Sequence, residues 1–153
     1  MEITVRKTNH VDGVSKISEQ LSEYFDEKGK RKIQEDAKSH LLYGAYEGDE
    51  MVGFVMYKPV NEQTVEMSWL GVLLDKQGVG VGTTLVEESL LEVGITYKVC
   101  EVKTLSEVDS YEPYKKTRGF YKKLGFIPIE TIYPYPNWDD PCQIFVKFLN
   151  VTT

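Results

Sequence analysis

Residues 73–94 read LLDKQGVGVGTTLVEESLLEVG, and the fold turns on them. Gly78, Gly80 and Gly82 alternate with valines between an apolar, strand-like run and a helix-like one. Behind them Val81, Leu85, Val86, Leu90 and Val93 recur at helical spacing, and Gly94 offers a stop. A strand that feeds a helix through such a corner presents the helix's first N–H groups, unpaired and aligned with the macrodipole. Glycine removes the Cβ atoms that would keep an anion such as a pyrophosphate away. The same composition also makes a plain turn, so the corner alone leaves both readings open.

The runs on either side supply the frame. Upstream, EITVRK (2–7) reads as a short strand. Val14, Ile17, Leu21 and Tyr24 follow as one face of a helix, and a more polar helix covers about 28–38. HLLYGAYE, MVGFVMYK and TVEMSWLGVLL then read as three strands with short links, a meander whose near-continuous apolarity predicts burial on both faces. Downstream, YKVCEVKTL is a strand, and Tyr114, Thr117, Tyr121 and Leu124 stripe a helix that Gly125 ends. FIPIETIY and CQIFVKFL are the last strands, separated by PYPNWDDP. The order β-α-α-β-β-β-α-β-α-β-β predicts an α/β (α+β) fold. Its mixed sheet of about seven strands carries helices on both faces, in one domain over residues 1–153.

Composition excludes several functions. The net charge of -6 leaves no surplus of cations for nucleic acid, and the basic run KGKRK (28–32) sits between acidic pairs as a solvated helix face. An acidic surface favours a cationic substrate. No run of apolar residues is long enough to span a membrane, and MEITVRKTNHVDG has no leader character, so a cytoplasmic protein is expected. Cys100 and Cys142 lack metal-ligand spacing, so no metal is expected. His10 and His40 are isolated in sequence, without a Ser or Cys partner in any recognisable motif, and read as structural or surface residues.

Two phosphate motifs fail at the corner. Thr83 stands where a dinucleotide fingerprint needs its third glycine, and no Gly-Lys pair is followed by Ser or Thr. The pattern Gln-x-x-Gly-x-Gly fits Gln77, Gly78, Val79, Gly80, Val81 and Gly82 without a gap. Together with Phe120-Tyr121-Lys122-Lys123-Leu124-Gly125-Phe126, it resembles the GCN5-related N-acetyltransferase (GNAT) superfamily over essentially the whole chain.

That resemblance implies acetyl-CoA as co-substrate and an amine as acceptor. It implies that the backbone of Leu70, Gly71 and Val72 holds the pantetheine arm. The N–H groups of Val79 to Thr83 then take the pyrophosphate, with the Thr83 and Thr84 hydroxyls at hand and Gln77 at the motif's first position. Tyr121 matches the family's general acid for the leaving sulfur. Glu66 matches the glutamate that deprotonates the amine, although a strand carboxylate paired with Lys or Arg on a neighbouring strand reads equally well. Tyr114 replaces an asparagine that helps hold the cofactor in many relatives. The acceptor would enter between SEYFDEKG and YPYPNWDDP, with SEVDSYEP nearby. These segments of aromatics and carboxylates suit a cationic small molecule or peptide amine, although turn formation and surface cover account for the same composition. A non-catalytic acyl-CoA-binding module of the same fold is the alternative. Many relatives dimerise, so a homodimer is among the expectations.

Overall fold

The computed structural model describes residues 2–105 and 112–149, the side chains of residues 105 and 112–114 excepted. Seven strands form one sheet in the order β1-β2-β3-β4-β5-β7-β6. They are β1 (Thr4–Lys7), β2 (Leu41–Glu47), β3 (Glu50–Pro59), β4 (Thr64–Val72), β5 (Val99–Leu105), β6 (Ile127–Ile132) and β7 (Cys142–Phe148). The helices are α1 (Val11–Glu19), α2 (Glu27–Asp36), α3 (Val81–Val93) and α4 (Glu112–Lys123). All neighbouring strands run antiparallel except β4 and β5, which the glycine corner and α3 connect in parallel.

The expected meander is β2, β3 and β4, and the first two are buried almost end to end. Each covered face meets a helix. The Tyr57 hydroxyl bonds Ser89 of α3 at 2.6 Å, with both residues closed to solvent. On the other face Phe54 and Leu21 crowd Gly71, where a Cβ would sit 2.8 Å from the Phe54 ring. That contact explains a glycine in the middle of β4.

Two boundaries differ from the periodicity. The first helix ends at Glu19, and Leu21 reaches the core from a following turn in which Tyr24 and Phe25 N–H groups bond the Leu21 carbonyl. The spacing of Val14, Ile17, Leu21 and Tyr24 marks their common burial, not a continuous helix. β4 stops at Val72, and Leu74–Lys76 form a 3-10 turn before the corner. α3 ends at Val93 with Gly94 as its cap, as the sequence reading has it, the glycine keeping helical φ (-67°).

Candidate functional site

The corner behaves as its composition predicts. Gly78 and Gly80 have φ of +78° and +93°, and a Cβ on either would meet nothing within 4 Å. These glycines are needed for backbone conformation and for open space, not for packing. Gly80 caps α3 without a side chain, and the Thr84 N–H bonds its carbonyl. The N–H groups of Val81, Gly82 and Thr83 precede that bond and sit at the positive end of the helix. Gln77 Nε2 donates to the Val72 carbonyl at 3.0 Å, tying the corner to the end of β4. Gly78, Gly80, Gly82 and Thr83 lie on the wall of a cleft, while Val81 is buried beneath it and Val79 faces outward.

That cleft, about 1350 Å³, opens because β4 and β5 part. They pair at Thr64 with Val99, Val65 with Cys100 and Glu66 with Glu101. β4 continues to Val72 without β5 beside it. Leu70, Gly71 and Val72 therefore run along the cleft with one backbone edge unclaimed by β5, and all three line it. A bulge adds to the divergence. Met56 pairs with Trp69 and Tyr57 with Met67, which leaves Ser68 as the extra residue and reverses the facing of later side chains.

On the opposite wall stands α4. Its FYKKLGF segment is a helix stop. Gly125 has φ +92°, its N–H bonds the Lys122 carbonyl, and the Phe126 N–H bonds the Tyr121 carbonyl. The Lys147 ammonium donates to the Leu124 carbonyl from outside. This geometry turns Phe126 back onto Tyr121, ring centroids 5.8 Å apart, and Phe120 and Phe145 close two more sides. Tyr121 is 8% exposed and lines the cleft. Burial, with Cys100 nearby, holds its phenol well above the usual tyrosine range, so it stays a proton donor. Tyr114 lies in the first turn of α4, its side chain outside the described residues.

Glu66 also lines the cleft, where β4 and β5 separate. Of the two readings of its carboxylate, the ion pair is present: Lys103 of β5 stands 3.2 Å from Oε1, and Glu101 lies 3.7 Å from the same ammonium. Burial disfavours the Lys103 charge, but its contacts with Tyr135 and Glu66 outweigh this and raise the lysine above its ordinary value.

His40 departs from the sequence reading. It has a serine partner, which the bulge and the turn after α2 bring from 28 residues away: Nδ1 lies 2.8 Å from Ser68 Oγ. Its Nε2 lies 3.5 Å from Asp36 Oδ1, and Asp36 Oδ2 accepts from Trp69 Nε1 at 2.9 Å. No local motif announces this cluster, since its members come from α2, the start of β2 and an irregular point of β4.

Beyond Glu66 the cleft is aromatic and acidic. Phe25 stacks edge-on against Trp69 at 5.7 Å, with Tyr24 and Asp26 beside it on the wall. Asn137, Trp138, Asp139 and Asp140 approach from the β6–β7 loop, where Tyr135 braces Trp138. Tyr133 is 67% exposed and lies off the wall. SEVDSY falls outside the described residues, as does the side chain of Glu112. Among the described residues no cluster of His, Cys, Asp and Glu could hold a metal ion, and no helix is long and apolar enough to cross a membrane.

The model of the acetyltransferase (GNAT) family matches residues 11–126, more than half the chain. The chain belongs to the GNAT acetyltransferase family. Among solved structures, a GNAT-family acetyltransferase from Desulfovibrio desulfuricans superposes with TM-score 0.83 at 22% identity, covering 96% of this chain and 99% of that one. An aminoglycoside 6'-N-acetyltransferase complexed with coenzyme A gives 0.75 at 22%, covering 100% and 99%. A GNAT acetyltransferase from Elizabethkingia anophelis with acetyl-CoA bound gives 0.73 at 21%, covering 96% and 98%. Such identities speak to the shared GNAT fold alone. Among curated proteins none matches the sequence.

Proposed function

We propose that this chain transfers the acetyl group of acetyl-CoA directly to a primary amine on a cationic small molecule or peptide. The observation that carries the reading is continuity. One cleft runs from the uncapped N-terminus of α3, along the free edge of β4, past Tyr121, to a wall of carboxylates.

Each part has a task. The N–H groups of Val81 to Thr83 bind the pyrophosphate, and the β4 edge at Leu70, Gly71 and Val72 pairs with the pantetheine amides. Tyr121 donates its proton to the departing sulfur. The carboxylates of Asp26, Glu66, Asp139 and Asp140 draw in the acceptor's positive charge, and Phe25, Trp69 and Trp138 give it aromatic faces. We place Glu66 against the ammonium as an anchor. Among the described residues only Oε1 is engaged, by Lys103, which leaves Oε2 for the acceptor.

The test is thiol release from acetyl-CoA across a panel of polyamines, amino sugars and peptides. Release with amines and none with alcohols is the expected result. Calorimetric binding of CoA with no release from any amine would instead support an acyl-CoA-binding module on the same fold.

A further inference from the structure

Ser68, His40 and Asp36 form a chain of contacts that the transfer just described does not use. Ser68 lies on the cleft wall; its hydroxyl donates to the Met56 carbonyl at 3.3 Å, and its Oγ also stands 2.8 Å from His40 Nδ1. His40 Nε2 faces Asp36 Oδ1 at 3.5 Å, and both side chains are only 11% exposed. Asp36 is itself fixed, by Trp69 Nε1 on Oδ2 and by Lys32 Nζ 3.4 Å from Oδ1. A neutral imidazole carries one N–H. The Asp36 carboxylate favours it on Nε2, which turns the Nδ1 lone pair towards Ser68 Oγ, so the hydroxyl proton can leave the longer Met56 contact for the shorter one to His40. The chain thus runs from the cleft inward, with a hydroxyl at its mouth, a base behind it and an anion at its end.

We propose that Ser68, His40 and Asp36 form a relay that carries the acceptor's ammonium proton out of the cleft. The proposal rests on the acetyl-transfer reading. The ammonium gives one proton to Ser68 Oγ as the Ser68 hydroxyl proton passes to His40 Nδ1, and the imidazolium so formed is paired with Asp36. The freed nitrogen lone pair forms the C–N bond to the thioester carbonyl, and the C–S bond breaks. The nitrogen's second proton replaces the one that Tyr121 has given to sulfur. His40 then returns its proton to solvent, so one proton is released per amide formed. Ser68 is the member that touches the amine; His40 and Asp36 are positioning residues that act through it.

The groups facing His40 set the working range. Burial lowers its pKa from the ordinary 6.5; Asp36 of α2 and Glu66 of β4 oppose this, while Lys58 of β3 and Lys32 of α2 reinforce it. The imidazole is therefore neutral above pH 6.5 and able to accept. As pH falls through the lowered pKa it becomes charged and the relay closes, which gives the rate an acid limb.

The experiment is kcat/KM against pH for the parent, Ser68→Ala and His40→Gln, using acetyl-CoA and an amine that the parent turns over. Melting temperature and CoA affinity are measured on each protein. Both variants should lose about a hundredfold near neutral pH and lack the acid limb. They should regain rate as pH approaches the amine's own pKa, where no base is needed. Ser68→Ala should melt and bind CoA like the parent. An unchanged profile in both variants overturns the relay while leaving acetyl transfer intact. A loss that persists at every pH and follows falling stability or CoA affinity makes the cluster structural only and overturns it too. No turnover by the parent with any amine removes the acetyl-transfer reading and the relay with it.

Discussion

Alanine at Gly80 and alanine at Gly82 should move stability in opposite directions and cofactor affinity in the same one. At Gly80 a Cβ meets nothing within 4 Å, so the cost is backbone strain alone at φ +93°. A left-handed non-glycine residue costs about 1–2 kcal/mol, and the stiffer unfolded chain returns about 0.4–1 kcal/mol. The net destabilisation, up to about 1.6 kcal/mol, lowers the melting temperature by up to roughly 6 °C in a chain of this size. Gly82 sits inside α3 at ordinary φ, and its Cβ would meet the Phe120 ring at 3.4 Å and Val72 Cγ2 at 3.7 Å, normal packing distances. Helix propensity then stabilises Gly82→Ala by up to about 1 kcal/mol.

Affinity should follow the cleft instead. Gly82, Phe120 and Val72 all line it, so the new methyl group occupies space between the α3 N-terminus and the β4 edge. Losing the alignment of one charge-assisted N–H bond costs about 1.5–3 kcal/mol, roughly ten- to hundredfold in Kd. Thermal melts without ligand and calorimetric titration with CoA give the two readouts. Gly82→Ala that is more stable and binds CoA as the parent does would refute the phosphate-cradle assignment, leaving a turn that only positions a helix.

Tyr121→Phe keeps every ring contact, so CoA affinity should hold while single-turnover acetyl transfer falls about a hundredfold; equal rates would remove Tyr121 from the mechanism. Glu66→Gln should raise the amine's KM roughly two- to fivefold with kcat little changed, since a partly exposed charge pair is worth at most about 1 kcal/mol. A large kcat loss with an altered pH profile would return Glu66 to the role of base. Because the His40 pKa is lowered in the folded chain, the unfolded chain binds the proton first as pH falls below 6.5. The melting temperature should therefore decline through that range in the parent and less steeply in His40→Gln. Phe126→Ala removes a ring 3% exposed against Tyr121 and should cost about 3–5 kcal/mol, read in urea unfolding.

Much of the fold was legible because each decisive step is a local rule. Runs such as LLYGAYE and MVGFVMYK have the length and continuity of strands covered on both faces, and the structure buries them so. The glycine corner implied a parallel step, and β4 and β5 supply a parallel pair, the only one among the described residues. Errors fell where a common face was mistaken for a continuous element. Leu21 reaches the core from a turn after α1, and Leu74 belongs to a 3-10 turn after β4, not to the strand. Spacing reports which residues share an environment, whereas the backbone that joins them depends on capping and packing that spacing does not encode.

The two ends of the cleft differ in legibility for a physical reason. A pyrophosphate is bound by backbone N–H groups, and the backbone signals its conformation through glycines at fixed offsets, so Gly78 and Gly80 can be read from one short segment. An ammonium is bound and deprotonated by side chains, which nothing obliges to be neighbours in sequence. In the site proposed here they come from the turn after α1, from α2, from the bulge of β4 and from the β6–β7 loop. His40 and Ser68 meet because β4 carries one extra residue, and without that bulge the Ser68 side chain would sit in a different register. The proposed donor site is thus a property of a motif, while the proposed acceptor site is a property of the assembled fold. Acceptor chemistry in this chain has to be sought in clusters such as Ser68–His40–Asp36, which only the three-dimensional arrangement brings together.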